Sequence, residues 1–295
     1  MKVLLIGSTG YIGSAFKKVL TKRSIDFVEE GGKIIDRADP MSSISYLEDF
    51  CSTERISFII NAAGYTGKPN VDACEVNRED TMTGNVDLPQ SLITVSNKLS
   101  IPWGHVSSGC LWGFTGTGEG KVYNETVKPD ADFGVMGSFY SCTKALAEKL
   151  IFANGTKCFV WRLRLPFDNE SSPRNYLSKL MNYDKLLNVT NSLSHRYDYV
   201  HACVDLMLSD ADFGKYNVVN TGHVTTEFVV EKIKEILLPD KQFSFFTNER
   251  EFYDIAATAA RSNCILDNSK LRKQYLGLNS DIGVDQDFFD YKISC

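Results

Sequence analysis

Tyr140 and Lys144 stand at the two ends of Tyr140-Ser-Cys-Thr-Lys144, and Ser108 lies upstream of both. On a helix, four-residue spacing brings a phenol and an ammonium to one face. A free phenol has a pKa of about 10 and is poorly matched to proton transfer near neutrality. A neighbouring ammonium favours the phenolate and draws that value down. Tyr140 so placed can protonate an oxygen that becomes an alkoxide while hydride reaches its carbon. General acid catalysis of this kind is worth on the order of 10²–10⁴-fold. Ser108 can hold the same oxygen by a hydrogen bond.

A second group supplies the hydride's carrier. Gly7, Gly10 and Gly13 take the first, fourth and seventh positions of Gly7-Ser-Thr9-Gly10-Tyr11-Ile12-Gly13, directly after an apolar run and at the start of a helical pattern. That context is what a phosphate-cradling turn demands. Glycines let the backbone approach a pyrophosphate, and a helix N-terminus offers N–H groups and partial positive charge. Asn61-Ala62-Ala63-Gly64 closes another apolar run with small residues, as backbone beside a cofactor requires. The two groups together predict hydride transfer between a nicotinamide and a carbonyl. At the ribose end, Glu29 and Glu30 would accept hydroxyls of NAD, Lys33 would meet a 2′-phosphate, and Asp36 could face the adenine. The coenzyme taken is NADPH, with NADH left open.

The elements that must position these groups alternate. Residues 2–6 read as a strand, and Ile12, Ala15, Phe16, Val19 and Leu20 repeat at helical spacing with one buried stripe. Residues 25–28 and 33–35 read as short strands. Ile44, Leu47, Phe50 and Cys51 mark a second helix, and residues 58–60 a further strand. Residues 101–106 and 158–165 follow as strands, separated by the helix of Tyr140. This alternation predicts an α/β fold, a Rossmann-type doubly wound parallel sheet with ligands beyond the carboxyl ends of its strands. After Pro166 the rhythm breaks. A helix and a strand are expected at residues 204–208 and 216–219, and Phe228, Val229, Ile233, Ile236 and Leu237 mark a helix closed by Pro239. The rest, including residues 266–270, reads as irregular. The predicted organisation is a coenzyme domain over 1–165, with 201–225 returning to it. Residues 166–200 and 226–295 would form a smaller, discontinuous substrate-binding lobe.

Composition narrows the partners. The 295 residues are 43% hydrophobic and 23% charged, with a formal net charge of -5, which argues against a surface built for nucleic acid. No stretch approaches the roughly 18 apolar residues of a membrane span. The apolar run at residues 3–6 is too short for a signal peptide, and the reading is cytoplasmic. Eight cysteines and four histidines show no metal-ligand spacing, so free thiols and no metal are expected.

The glycine turn, Asn61-Ala-Ala-Gly64, Ser108 and Tyr140-x-x-x-Lys144 resemble the extended short-chain dehydrogenase/reductase superfamily, in its nucleotide-sugar branch. Longer runs carry a closer likeness: Asn61-Ala-Ala-Gly-Tyr-Thr-Gly-Lys-Pro-Asn-Val-Asp72, Gly137-Ser-Phe-Tyr-Ser141, Pro173-Arg-Asn175 and Arg261-Ser-Asn263. These resemble the plant UDP-4-keto-6-deoxyglucose 3,5-epimerase/4-reductases that complete UDP-L-rhamnose synthesis. The resemblance implies that Cys110 and Lys179 exchange protons at C3 and C5 of the sugar, with acid and base unassigned. In an extended segment Ser108 and Cys110 would project to the same side. It further implies Pro166, together with Tyr140 and Lys144, as coenzyme contacts and Thr66, Asp72 and Asn175 as sugar or uridine contacts. Arg174 and Arg261 suit a diphosphate clamp, where a planar bidentate cation fits. Arg162 and Arg164 alternate on one strand face and read as structural. The alternatives are a dTDP-4-dehydrorhamnose reductase without epimerase activity, or a non-catalytic regulatory subunit on the same fold. A homodimer is a family-level expectation.

Overall fold

The computed structural model describes residues 1–31, 34–36, 39–114, 116 and 120–276, with backbone alone for Tyr275 and Leu276. β1 (Lys2–Ile6), β2 (Asp26–Glu30), β3 (Phe58–Asn61), β4 (Trp103–Ser108), β5 (Cys158–Leu163) and β6 (Gly214–Asn217) form a six-stranded parallel sheet. Its order is β6-β5-β4-β3-β1-β2. Val3, Leu4, Leu5 and Ile6 are all buried, as are Ile59 and Ile60. Strands apolar on both faces are what a parallel sheet covered by helices requires. Winding reverses between β1 and β3, and in such sheets ligands bind beyond the carboxyl ends at that reversal. Register sets Ile6 beside both Glu30 and Asn61, and Asn61 beside His105. Gly7, Asn61 and His105 therefore meet at one edge.

Helix α1 (Tyr11–Lys22) buries Ala15, Phe16, Val19 and Leu20, the predicted stripe. Helix α2 (Pro40–Thr53) starts at Asp39, whose carboxylate accepts from the Ser42 N–H at 3.0 Å, with proline in the first turn. Helices α3 (Leu88–Leu99) and α4 (Phe139–Ala153) complete the packing. Leu4, Leu47, Ile59, Leu92, Val95, Trp103, Ile151 and Val160 form one core. Each such side chain, fully buried, contributes about 1.5–3 kcal/mol.

Two compact units divide the chain. The first is Met1–Ser108, Ser138–Trp161 and Val200–Lys215; the second is Gly109–Gly137, Arg162–Tyr199 and Tyr216–Cys295. The expected boundary at 165 falls instead after Trp161, and Gly109–Gly137 groups with the second unit, which is comparable in length to the first rather than smaller. The second unit has its own core, in which Phe167, Leu177, Leu180, Leu186, Leu193, Val229 and Ile233 pack together. Its helices include α5 (Tyr176–Asn182), α7 (Thr226–Ile236), α8 (Glu249–Ile255) and α9 (Ser269–Leu276), while α6 spans Arg196–Leu208.

Three local expectations are corrected. Ile34, Ile35 and Asp36 are not in a strand: Ile34 and Ile35 turn into the core beside Leu47 instead, and a short apolar run does not distinguish the two. The strand expected to reach residue 165 stops at Leu163, because Leu165 takes a positive φ of 38° that no strand accommodates. The supposedly irregular C-terminal stretch holds a strand pairing, Ile265–Leu266 against Val122–Tyr123, and then α9. The Asp267 carboxylate accepts from the Ser269 N–H at 2.8 Å, so residues that read as irregular start a helix.

Candidate active site

In the first unit the glycine turn has the geometry its motif demands. Gly7 takes φ +82°, and a Cβ on it would stand 2.6 Å from the Ala63 nitrogen. A Cβ on Gly13 would stand 2.0 Å from the Gly7 carbonyl oxygen. Those two glycines thus close α1 onto β1 and β3. Gly10 is exposed and is the N-cap of α1, with no side chain capping it. A pyrophosphate fits that end, where backbone N–H groups and helix dipole point outward. Thr9 is exposed beside it, and Tyr11 and Ile12 are half-buried in the first turn.

At the end of β2, Glu29 pairs with Lys17 at 2.6 Å, and Glu30 accepts from Tyr46 Oη and, at 3.1 Å, from the Gly31 N–H. A cavity of about 760 Å³ lies there, lined by Glu30, Ile34, Asp36, Ser43, Tyr46 and Thr83 among others. Asp36 is exposed, and its N–H donates to Ser43 Oγ at 2.8 Å. Lys33, the expected 2′-phosphate partner, lies outside the described residues.

The loop after β3 is tied to α4, the helix of Tyr140. Asn85 accepts from the Tyr65 N–H at 2.9 Å and donates to the Tyr65 carbonyl at 2.9 Å and to Thr143 Oγ1 on α4 at 3.1 Å. It is buried in a π-helical turn, Thr83–Asp87, a type of local distortion often found at functional sites. Gly64 is exposed and a Cβ there would come within 3.1 Å of Asn85 Oδ1; Thr66 and Asp72, farther along, are half-buried.

Helix α4 begins at Ser138, whose Oγ accepts from the Ser141 N–H at 3.1 Å, while Glu75 accepts from the Phe139 N–H at 2.7 Å. Tyr140, Lys144 and Glu148 then follow at helical spacing on one face. Tyr140 is half-buried, and Lys144 and Glu148 are buried against β4. His105 and Ser107 share one face of β4 by alternation. Lys144 Nζ lies 3.2 Å from His105 Nε2 and donates to the Val106 carbonyl at 2.9 Å, while Ser107 Oγ donates to Glu148 at 2.7 Å. Ser108 is buried at the end of β4.

Burial lowers the Lys144 pKa from 10.5 to about 8, and Glu148 opposes that shift. The folded chain therefore holds this proton less tightly than the unfolded chain. The cost is fully present below about pH 8 and is gone above 10.5, so stability from this group rises with pH across that window. It amounts to about 3 kcal/mol at 1.36 kcal/mol per pKa unit. Urea unfolding of the native chain and of Lys144→Met at pH 7.5 and pH 10 measures it. The stability difference moves towards the native chain at the higher pH; an unchanged difference contradicts the shift.

In the second unit the proton-exchange candidates gather. The predicted extended segment ends at Ser108; Gly109 bends, its N–H donating to the Leu163 carbonyl at 2.7 Å, and Cys110 opens a turn. Strand alternation therefore does not govern Cys110. Of the seven described cysteines, six are buried and Cys110 is half-buried. Arg164, expected to be structural, is buried and donates from Nη1 to Cys110 Sγ at 2.8 Å. Its other donors reach Asn191 Oδ1, with Nε at 3.0 Å, and the Ser262 carbonyl. Burial opposes its charge, but Cys110, Cys264 and Tyr176 more than offset that and raise its pKa. Arg162 instead lies 4.8 Å over the Trp112 ring, in a packing role.

Lys179 sits on α5. Burial lowers its pKa, Arg174 and Arg261 lower it further, and Cys110 acts the other way. All four are close enough for their charges to interact. Asn175, expected at the substrate, is buried and caps α5: its Oδ1 accepts from the Leu177 N–H at 2.9 Å, and its Nδ2 donates to Asp168 and Glu170. It positions the helix of Lys179. Arg174 and Arg261 are half-buried, and Arg261 Nη1 donates to the Ala259 carbonyl at 2.7 Å. Pro166 begins a two-residue strand parallel to Ser194–His195.

Sequence reasoning overlooked His105, Glu148 and Asn85, and gave Arg164 a structural role without its contact to Cys110. Glu148 continues the Tyr140–Lys144 spacing by one more turn, and His105 alternates with Ser107; both signals were legible. Nothing in spacing points to Asn85 or to the contact between Arg164 and Cys110. Among the described residues no group of three or more His, Cys, Asp or Glu side chains could hold a metal, and no helix is long and apolar enough to cross a membrane.

The family model described as the RmlD substrate binding domain matches residues 1–194. A trifunctional UDP-glucose 4,6-dehydratase/UDP-4-keto-6-deoxy-D-glucose 3,5-epimerase/UDP-4-keto-L-rhamnose-reductase of Arabidopsis thaliana is 30% identical over 279 residues, covering 93% of this chain and 40% of that protein. The chain thus spans less than half the length of that relative. A bifunctional dTDP-4-dehydrorhamnose 3,5-epimerase/dTDP-4-dehydrorhamnose reductase of the same plant is 28% identical over 281 residues, 94% of this chain and 88% of that one. The solved L780 UDP-rhamnose synthase of Acanthamoeba polyphaga mimivirus shares the fold, with a TM-score of 0.86 at 23% identity over 100% of this chain and 99% of that chain.

Proposed function

The chain belongs to the RmlD substrate binding domain family, and from that premise we propose that it reduces the 4-keto group of a nucleotide-linked 6-deoxyhexose, after epimerising C3 and C5. The substrate is UDP-4-keto-6-deoxyglucose and the product UDP-L-rhamnose. The bifunctional plant relative, matched over 88% of its length, supports both activities in one chain of this size. The observation that carries the epimerase half is Cys110: among the described cysteines it alone is part-exposed, and it receives a guanidinium N–H from Arg164.

A 4-keto group acidifies the hydrogens on both adjacent carbons. One of Cys110 and Lys179 removes a proton from carbon, leaving an enolate, and the other returns one to the opposite face. A thiol and a lysine with lowered proton affinity both suit this exchange near neutrality. Arg174 and Arg261 hold the diphosphate. A bound nicotinamide supplies hydride to C4, and residues 7–13 and 61–64 would hold that coenzyme. Ser108 orients the C4 oxygen, and Tyr140 gives its proton to it as the carbonyl bond opens. Lys144 compensates the phenolate left behind.

NADPH is the coenzyme taken. Glu30 at the end of β2 favours a second reading, NADH, because a carboxylate there accepts ribose hydroxyls and repels a 2′-phosphate. Incubation with UDP-4-keto-6-deoxyglucose and each coenzyme in D₂O, followed by product NMR, tests the whole reading. UDP-L-rhamnose carrying deuterium at C3 and C5 is the expected product. Untouched substrate, with turnover only of a keto sugar already epimerised, leaves a reductase alone, the activity that the family match by itself favours.

A further inference from the structure

Resting on the reductase reading above, we propose that His105 is a positioning residue for Lys144: fixed by Asn61 as the tautomer with its hydrogen on Nε2, it donates to the lysine amine and opposes its protonation. The assignment follows from donors and acceptors within the first unit. The Ala63 N–H donates to Asn61 Oδ1 at 3.1 Å, so the amide oxygen faces Ala63. The amide nitrogen then faces His105 Nδ1 at 3.1 Å. An amide NH₂ only donates, which makes Nδ1 the acceptor and puts the ring hydrogen on Nε2. His105 is fully buried, and burial, with the charge of Lys144, holds its pKa well below 6.5, so the ring is neutral.

Nε2–H therefore points at Lys144 Nζ, 3.2 Å away. A neutral amine meets it with a lone pair and donates to the Val106 carbonyl at 2.9 Å. An ammonium has no lone pair, and the two N–H groups would face each other. Reversing the imidazole tautomer does not relieve this, because Nδ1–H would then face the Asn61 NH₂. Turning that amide over would in turn strand the Ala63 N–H. Among the described residues, the other titratable groups around Lys144 are Tyr140 and Glu148 on its own helix, with Cys158 on β5 beside the His105 backbone. Glu148 favours the ammonium, and its carboxylate already accepts from Ser107. His105 is thus the neighbour whose hydrogen bond selects the amine.

The consequence lies in proton return. Once Tyr140 has given its proton to the substrate oxygen, a phenolate stands one helical turn from Lys144. An N–H bond of the ammonium breaks and the Tyr140 O–H bond re-forms. The neutral amine left behind is the form His105 stabilises, and solvent later restores its proton. A less basic lysine is the readier donor for that step.

Two measurements on the full chain decide this without any turnover, so failure of the reductase assignment does not bear on them. Two-bond ¹H–¹⁵N spectra of histidine-labelled protein at pH 7.5 read the His105 tautomer, assigned through His105→Phe or by difference from the other three rings. Hydrogen on Nε2 with bare Nδ1 is expected; hydrogen on Nδ1, or a charged ring, overturns the proposal. A pH titration of ¹³C-lysine protein, with the Lys144 signal assigned by Lys144→Met, gives the amine midpoint. His105→Phe raises that midpoint by about one pH unit, a tenfold gain in proton affinity. An unmoved midpoint overturns the proposal, and if that variant does not fold the tautomer still decides.

Discussion

Tyr140→Phe lowers the rate of 4-keto reduction by on the order of 10²–10⁴-fold. The variant keeps the ring and loses only the hydroxyl, so packing at this half-buried position changes little. The helix around it is held independently, by Ser138 and Glu75 at its start and by Asn85 at Thr143. Coenzyme affinity therefore stays within a few-fold, and the loss falls on kcat. Single-turnover reduction, followed by nicotinamide absorbance, separates the two. Deuterium entry at C3 and C5 continues in this variant, because the phenol takes no part in enolate formation. Retention of the full reduction rate would remove Tyr140 as the acid and, with it, the reductase mechanism.

Cys110→Ser has the complementary effect. Exchange of solvent deuterium into UDP-4-keto-6-deoxyglucose falls by on the order of 10²-fold or more, the scale of losing a positioned acid–base group. Reduction of a keto sugar supplied already epimerised persists. A serine hydroxyl is close in shape to a thiol and still accepts the Arg164 N–H, so folding is preserved while the proton-transfer chemistry is not. Both steps surviving at the native rate would confine the chain to reduction. Loss of both would point instead to collapse of the Arg164, Asn191 and Ser262 network on which Cys110 leans.

The glycine turn and α1 were legible from residues alone. Short-range sterics dictate them: Gly7 needs a positive φ, and no side chain fits at Gly13. The apolar runs of β1 and β3, buried on both faces, likewise identified a parallel sheet. Ile34 and Ile35, expected in a strand, are not in one because they satisfy burial equally well by turning into the core. The C-terminal strand Ile265–Leu266 was illegible for a different reason. Its partner is Val122–Tyr123, nearly half the chain away, and two residues carry no period.

By itself, the order of amino acids determined the helix face that joins Tyr140 to Lys144, the glycine turn and the apolar runs that become strands, since each depends on neighbours within a few residues. Only the tertiary structure decided which imidazole nitrogen meets Lys144, that Arg164 turns to Cys110, and that Asn175 serves the helix of Lys179 and is buried. The first two outcomes pair groups from distant segments, and all three are settled in a buried setting, where a donor must find its acceptor. Hydrogen-bond direction and desolvation come into being only when the chain has closed around them.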